Sequence, residues 1–382
     1  MSVDRKLQIL GTRGIPAGHG GFETFAQRLA LYLVERGWEV TVYCQTSEQN
    51  VSSKMWKGVR LIYITTPRNN SLGSILFDFR STVRAATTKG GIILTLGYNT
   101  AIFSILYRLC GKFNIINMDG LEWQRQKWNA LEKAWLYLNE RIGAKLGNWL
   151  VADHPEMKKY LCRSVPADKI VMIPYGAERI SQSNVSLLES YGLAPQTYAL
   201  VVARPEPENS IWEIVSAFSA KKRGYQLVVL GNYHPENAYH HKVLQAASEE
   251  VLFLGAIYDP ATVHTLRVHT RLYIHGHTVG GTNPSLVEAL AASSPVLAQD
   301  NAFNRWVAGE TAHYFSYEAK CMQKLNELLD DSAELEKMRK GSRKRYEQAF
   351  ASNKDLRAYE EMFLSHLANS PKVALLYPEW EV

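Results

Sequence analysis

Strand-like apolar runs alternate with segments long enough for helices along almost the whole chain, and this alternation most restricts the fold. The first series is LQIL (7–10), EVTVYC (39–44), VRLIYI (59–64), GIILTLG (91–97), NIINM (114–118), NWLVAD (148–153) and KIVMIP (169–174). A second series follows: YALVVAR (198–204), YQLVVLG (225–231), VLFLG (251–255), RLYIHG (271–276), PVLAQ (295–299) and AHYF (312–315). Each predicts a parallel sheet wound by helices. The expected fold class is therefore α/β, with two Rossmann-like doubly wound domains facing a cleft and ligands at the carboxyl ends of the strands. The polar, turn-rich stretch between the series reads as a linker. This places an N-terminal domain at 1–178, a linker at 179–196 and a C-terminal domain at 197–350, with 351–382 expected as a helix and tail returning to the first domain.

Composition agrees with two cores, because 382 residues are too many for one ordinary domain and 46% hydrophobic with 21% charged residues is a globular balance. Charge is divided unevenly. Residues 1–180 carry 24 Lys plus Arg against 14 Asp plus Glu, and the remainder 19 against 23, so the first half is expected to meet something anionic. The alternative is a chance imbalance on a solvated surface. Four scattered cysteines without a CxxC pair suggest neither a zinc knuckle nor a disulfide framework and favour a reducing compartment. The start MSVDRKLQIL runs directly into a strand, and no apolar run reaches the ~18 residues of a membrane span. The expected location is cytoplasmic, either soluble or peripheral on the inner face of the membrane.

Two glycine loops stand out as anion cradles. GTRGIPAGHGGFETF lacks both the GxGxxG spacing and the Lys-Ser/Thr ending of a P-loop, but Gly20 and Gly21 precede a helix starting near Phe22, whose amides and dipole suit an anion. A flexible turn is the competing reading. HGHTVGGTNPSLVEALA offers Gly280, Gly281 and Thr282 before an N-cap at Asn283 and Pro284 at the first helical position. Farther along that helix a lone carboxylate, Glu288, sits among Leu286, Val287, Ala289 and Leu290. Burying it is costly unless it is hydrogen-bonded, either to ribose hydroxyls or in a structural salt bridge.

These residues resemble the donor-binding helix of retaining glycosyltransferases with the GT-B fold in their fourth sequence family, whose pattern is E-G-F-G-L-x-x-x-E-A-M-A-x-G-x-P-V-V-A. Glu288-Ala289-Leu290-Ala291 and Pro295-Val296-Leu297-Ala298 match it, while Gly280 stands at the first glutamate and Thr282-Asn283-Pro284 replace F-G-L. The resemblance implies that Glu288 binds the nucleotide ribose, that Gly280, Gly281, Thr282, Asn283 and Ser285 line the donor site, and that the donor sugar is held differently. Val202 to Asn209 is similar to V-G-R-L-x-x-E-K, so Arg204 would neutralise the diphosphate, with Asn209 where lysine is expected. Ile257 and Tyr258 would line a base pocket or simply pack in a loop. The combination GTRGIPAxxGGFET, NMDGLEWxRxKW and GGTNPSLVEA resembles a rhamnosyltransferase-like bacterial subgroup that builds surface polysaccharides. That similarity implies dTDP-L-rhamnose or a related nucleotide sugar as donor and a saccharide or lipid diphosphate-linked saccharide as acceptor.

In NMDGLEWQRQKW, Asp119 aligns with a histidine that many family members place beside the reacting sugar, so it would orient or deprotonate the acceptor hydroxyl, or else cap the following turn. Glu122, Trp123, Arg125 and Trp128 are the acceptor candidates, and their indoles and cations suit saccharides or lipid headgroups as well as core packing. Asp119 and Arg204 are thus the expected catalytic residues. No DxD triplet occurs, so neither a metal nor a cofactor is expected, and no nucleic-acid motif is present. The expected activity is glycosyl transfer with retention. An epimerase or a non-catalytic nucleotide-sugar binding protein are the alternatives.

Overall fold

Runs of Val, Ile and Leu without polar alternation suit strands buried on both faces, and such strands build parallel sheets covered by helices. The computed structural model has two such sheets and describes residues 5–18, 20–48, 53–66, 71–180, 183–351, 353–368 and 380. One compact unit contains the chain up to Trp123, Trp128–Pro174 and the segment from Asp355 on; the other contains Gln124–Lys127 and Tyr175–Lys354.

The first unit holds β1 (Lys6–Leu10), β2 (Glu39–Thr46), β3 (Lys54–Trp56), β4 (Val59–Thr65), β5 (Ile92–Leu96), β6 (Asn114–Asn117), β7 (Trp149–Ala152) and β8 (Ile170–Met172). Their order is β3-β4-β2-β1-β5-β6-β7-β8, parallel except for the β3–β4 pair. The sequence reading missed β3. It is a three-residue edge strand with Lys54 and Met55 exposed, and it turns back through Lys57 (φ 48°) and Gly58 (φ 82°). Two left-handed residues in succession are the mark of a tight hairpin. Strand order reverses between β1 and β5, where connections diverge and a crevice opens at the carboxyl ends. Gly11 sits there with φ 81°, and a Cβ on it would come within 2.1 Å of the Leu96 carbonyl oxygen. Only glycine lets the loop after β1 lie against the end of β5.

The C-terminal helix Lys354–Leu367 belongs to this same core. Leu356, Tyr359, Met362 and Phe363 recur at helical spacing and are buried. The Tyr359 ring lies 5.0 Å from Phe25 and the Phe363 ring 5.7 Å from Trp38. Polar anchors fix the register: Arg28 Nη1 is 3.2 Å from Asp355 Oδ2, and Trp38 Nε1 donates to Glu360 Oε1 at 3.1 Å.

The second unit holds β9 (Tyr198–Val202), β10 (Gln226–Leu230), β11 (Val251–Gly255), β12 (Leu272–His275), β13 (Val296–Gln299) and β14 (His313–Phe315). The order is β11-β10-β9-β12-β13-β14, all parallel, so the reversal falls between β9 and β12. On one face Ile214, Val215 and Phe218 of the helix Ile211–Ser219 pack with Cys321 and Leu325 of the helix Glu318–Leu328 against the sheet. Arg339, on the helix Ser332–Ala349, donates to the carbonyls of Val268, Ser293 and Thr270 and to Gln196 Oε1. One side chain thereby ties the ends of two helices that flank β12.

Candidate functional site

In the second unit the chain leaves β12 at His275 and reaches the helix Pro284–Ala291 through residues 276–283. The helix begins where its sequence says it should. Asn283 caps it, accepting from the Ser285 N–H at 3.0 Å, and Pro284 takes the first position. The connecting loop is pinned from both sides. Thr278 donates through its N–H (2.8 Å) and its hydroxyl (2.9 Å) to the Glu208 carbonyl, and the His277 carbonyl accepts from the side-chain amides of Asn301 (3.0 Å) and Asn304 (2.9 Å). A Cβ at Gly276 would come 2.0 Å from the Asn209 carbonyl oxygen, so the loop lies directly on the turn Pro207–Asn209 that follows β9. The carboxyl ends of β9 and β12 are therefore joined at the reversal point, where open sheets of this kind bind ligands.

Arg204 stands exposed just past β9. Asn209 is buried, and its amide donates to the Arg204 carbonyl at 2.7 Å. Its amide therefore shapes the backbone that presents Arg204 and does not take over the charge of a lysine. Thr282 is buried in the loop, Gly281 is half-buried, and Gly280 has φ 148°. Ser285 turns inward: its hydroxyl donates to the Val202 carbonyl (3.1 Å), lies 2.7 Å from the Tyr273 hydroxyl and accepts from Arg267 Nη2 (3.2 Å). It locks the helix Pro284–Ala291 to the ends of β9 and β12.

Glu288 has both fates that the sequence left open to it within reach. Its Oε2 lies 2.6 Å from Arg267 Nη2, and that arginine side chain is only 4% exposed while the carboxylate is 35% exposed. One side of the carboxylate is held by a buried cation and the rest faces outward. Arg267 is the partner that the sequence reading missed; its signal was a single arginine between Leu266 and Val268 on a helix one strand away from the lone glutamate.

Two histidines border the same loop. His275 and His277 stack with centroids 4.3 Å apart, and neither His275 Nε2 nor His277 Nδ1 has a hydrogen-bond partner among the described residues. Burial, then the charges of Arg125 and Arg204, drives His277 down to about 3, and burial holds His275 well below its ordinary value. Both imidazoles are neutral near pH 7. Glu208 is buried, with Arg125 Nη1 at 3.9 Å from its Oε1. Ile257 is half-buried and Tyr258 exposed in the loop after β11.

The glycine loop of the first unit differs from that of the second in its charge. Gly20 (φ 85°) precedes the helix Gly21–Val34, whose first turn already contains Glu23. That carboxylate accepts from the Arg13 N–H at 3.1 Å, and its Oε2 would lie 2.5 Å from a Cβ on Gly20. The loop's own carboxylate occupies the favourable end of the dipole there. By contrast, the first turn of Pro284–Ala291 holds no acidic residue. Of the two predicted cradles, the second is the better suited to a diphosphate.

Asp119 follows β6 with φ 45°, a left-handed conformation tolerated by Asp and strained for most other residues. Its N–H donates to Asn117 Oδ1 at 2.9 Å, and Asn117 Nδ2 donates to the buried Tyr359 hydroxyl at 2.9 Å. Tyr98 closes the turn from the other side, donating to the Gly120 carbonyl (3.0 Å) and accepting from the Glu122 N–H (2.8 Å). The indoles beyond it are engaged within the unit: Trp128 Nε1 donates to Glu122 Oε1 (3.1 Å), and Trp123 Nε1 donates to Glu140 Oε2 (2.9 Å) while its ring meets Tyr137 at 5.4 Å. Asp119 and Glu122 are thus brought together in one unit, and Arg204, Glu288 and the 276–283 loop in the other. Among the described residues no group of three His, Cys, Asp or Glu could hold a metal ion, and no helix is long and apolar enough to cross a membrane.

Residues 189–347 match the family described as glycosyl transferases group 1, and residues 4–178 match a domain of unknown function, DUF1972. No curated protein matches the sequence. Among solved structures the chain is similar to a sucrose-phosphate synthase from Thermosynechococcus elongatus, at 16% identity and TM-score 0.81 over 96% of this chain and 100% of that one. Anabaena HepE in complex with UDP and glucose matches at 13% identity and TM-score 0.74, over 94% of this chain and 99% of that one. A putative UDP-N-acetylglucosamine 2-epimerase from Listeria monocytogenes matches at 14% identity and TM-score 0.65, over 98% and 99%. At these identities the likeness is one of fold, and the fold is GT-B.

Proposed function

We propose, starting from a two-domain GT-B chain whose residues 189–347 match the family described as glycosyl transferases group 1, that this protein transfers a sugar from a nucleoside diphosphate donor to a saccharide acceptor with retention at the anomeric carbon. The observation that carries the reading is the composition of the β9/β12 reversal point. An exposed Arg204, a glycine-opened helix start free of acidic residues and a half-exposed Glu288 occupy one crevice mouth. The structural neighbour that holds UDP and glucose supports a nucleotide-sugar donor.

In the proposed reaction the bond between the anomeric carbon and the diphosphate oxygen breaks, and the acceptor oxygen bonds to that carbon on the same face. Arg204 and the amides before Pro284 stabilise the negative charge gathering on the leaving diphosphate. Glu288 accepts from the ribose hydroxyls. Asp119 orients the acceptor hydroxyl, whose proton passes to Asp119 or to the departing diphosphate.

The sequence motifs favour dTDP-L-rhamnose as donor and a lipid diphosphate-linked saccharide as acceptor, worked on at the inner leaflet. A surface of the first unit supports the last point. Ile105, Leu109, Leu131, Trp135 and Leu138 are exposed on neighbouring helices, with Arg108 and Lys133 among them, a pairing that suits an anionic bilayer.

The test is incubation of purified protein with a panel of nucleotide sugars, including dTDP-L-rhamnose, and a short lipid diphosphate-saccharide, following nucleotide release and acceptor mass. An acceptor heavier by a deoxyhexose is the expected result. Another sugar increment keeps the transferase and changes the donor. An isomerised nucleotide sugar with no acceptor product replaces the reading with an epimerase, and binding without turnover replaces it with a sensor.

A further inference from the structure

Around Arg204 the second unit contains buried hydrogen-bonding atoms that none of the described residues satisfies. Among the described residues, both carboxylate oxygens of Glu208 and Nδ1 of His277 lack a hydrogen bond, although each atom is sealed from solvent. Arg125 Nη1 stands 3.9 Å from Glu208 Oε1, outside hydrogen-bond range. Buried acceptors without donors are destabilising, and proteins keep them where another molecule brings the donors.

The kind of deficit identifies the kind of ligand. Carboxylate oxygens can only accept. A neutral imidazole with its proton on Nε2 also accepts at Nδ1, and His277 is kept neutral by burial and by the charges of Arg125 and Arg204. The carboxylate oxygens call for donors, and a hydroxyl, which donates and accepts, serves His277 Nδ1 in either tautomer. The position of these atoms is equally specific, because His277 lies three residues before Gly280 in the loop that leads to the diphosphate-facing helix, and Arg204 stands close enough to act on its charge.

We infer that His277 and Glu208 form the subsite for the donor's sugar ring, accepting hydrogen bonds from its hydroxyls where a glutamate at position 280 would otherwise reach. The inference rests on the donor reading above and adds the residues that read the sugar. A Cβ built at Gly280 meets no atom within 4 Å, so the space beside it is open to a ring. The site is also preorganised. Asn301 and Asn304 fix the His277 carbonyl, His275 stacks on its ring at 4.3 Å, and Thr278 clamps the Glu208 backbone from the adjoining loop.

Calorimetry with paired probes tests it: UDP against UDP-glucose, and dTDP against dTDP-L-rhamnose, on wild type, His277→Ala, His277→Asn and Glu208→Gln, with thermal melts confirming that each variant folds. In the pair that wild type accepts, the sugar should raise affinity over the bare nucleotide. The variants should bind the bare nucleotide within about twofold of wild type and lose the sugar's increment by about tenfold or more, as expected when a site built for hydroxyls loses its acceptors. If the variants keep the increment, the inference fails and the donor reading stands. If wild type binds no nucleotide at all, the donor reading fails and this inference falls with it.

Discussion

Replacing Glu288 by Gln separates its ion pair with Arg267 from the ribose contact proposed for it. The substitution keeps the shape and removes the charge. On the stability side, Arg267 is 4% exposed and loses its counter-charge at 2.6 Å. Breaking a fully buried pair costs about 3–5 kcal/mol; because the Glu288 carboxylate is 35% exposed, about 2–3 kcal/mol is the appropriate figure. For a unit of this size that lowers Tm by about 5–10 °C. On the binding side, hydrogen bonds to a charged acceptor contribute about 1.5–3 kcal/mol, so the affinity for a nucleoside diphosphate should fall by about 10- to 150-fold. Arg267→Met is the control, since it breaks the same ion pair and leaves the carboxylate in place. It should cost a similar amount of stability with a much smaller loss of nucleotide affinity. The assay is a thermal melt beside calorimetric titration of UDP and dTDP. Nucleotide affinity unchanged in Glu288→Gln, with the melt lowered, would refute the ribose role and leave Glu288 as the counter-ion of Arg267.

Burial lifts the Asp78 carboxyl from 3.8 to about 6 against the pull of the Thr100 hydroxyl at 2.8 Å, so the folded state binds its proton more tightly than the unfolded chain does. Its contribution is therefore complete below about pH 4 and lost as pH rises through about 6, some 1–2 kcal/mol for a half-buried side chain, and Asp78→Asn should abolish that slope in urea unfolding. A stability gap to wild type that is constant from pH 4 to pH 7 would contradict it. Tyr359→Phe removes the acceptor for Asn117 Nδ2 and should cost about 1–2 kcal/mol. Because Asn117 also holds the Asp119 N–H, turnover should fall while donor affinity stays constant, and an unchanged kcat would dissociate Asp119 from the chemistry. Leu109→Glu with Leu131→Glu, both on exposed positions, should leave the melt unchanged and weaken sedimentation with vesicles of about 30% anionic phospholipid by roughly tenfold. Equal binding of the double variant would remove the bilayer from the proposed function.

Parallel sheets were legible because their strands are buried on both faces and announce themselves as unbroken apolar runs. The helix Pro284–Ala291 was legible at its first residues, since an Asn cap and a Pro at the first position act within one turn of chain. The hairpin strand Lys54–Trp56 was not legible, because three exposed residues bury too little to leave a pattern. Equally hidden was the difference between the two glycine loops. Both read as anion cradles in the sequence, and only the fold brings Glu23 back onto one of them.

The sequence by itself determined the two α/β units, the strand ends at which ligands could bind, and the short list of Arg204, Asp119 and Glu288, because each depends on local periodicity, capping or a motif. Tertiary structure decided what those residues are able to do. Arg267 reaches Glu288 from another helix, Asn209 serves the Arg204 backbone, and Tyr359 supports Asp119 through Asn117 across 242 residues of chain. His277 and Glu208 acquire meaning only when folding seals His277 Nδ1 and the Glu208 carboxylate oxygens away from any donor among the described residues. Whether a polar group is satisfied depends on which distant atoms surround it, and that is settled by packing and not by its neighbours in sequence.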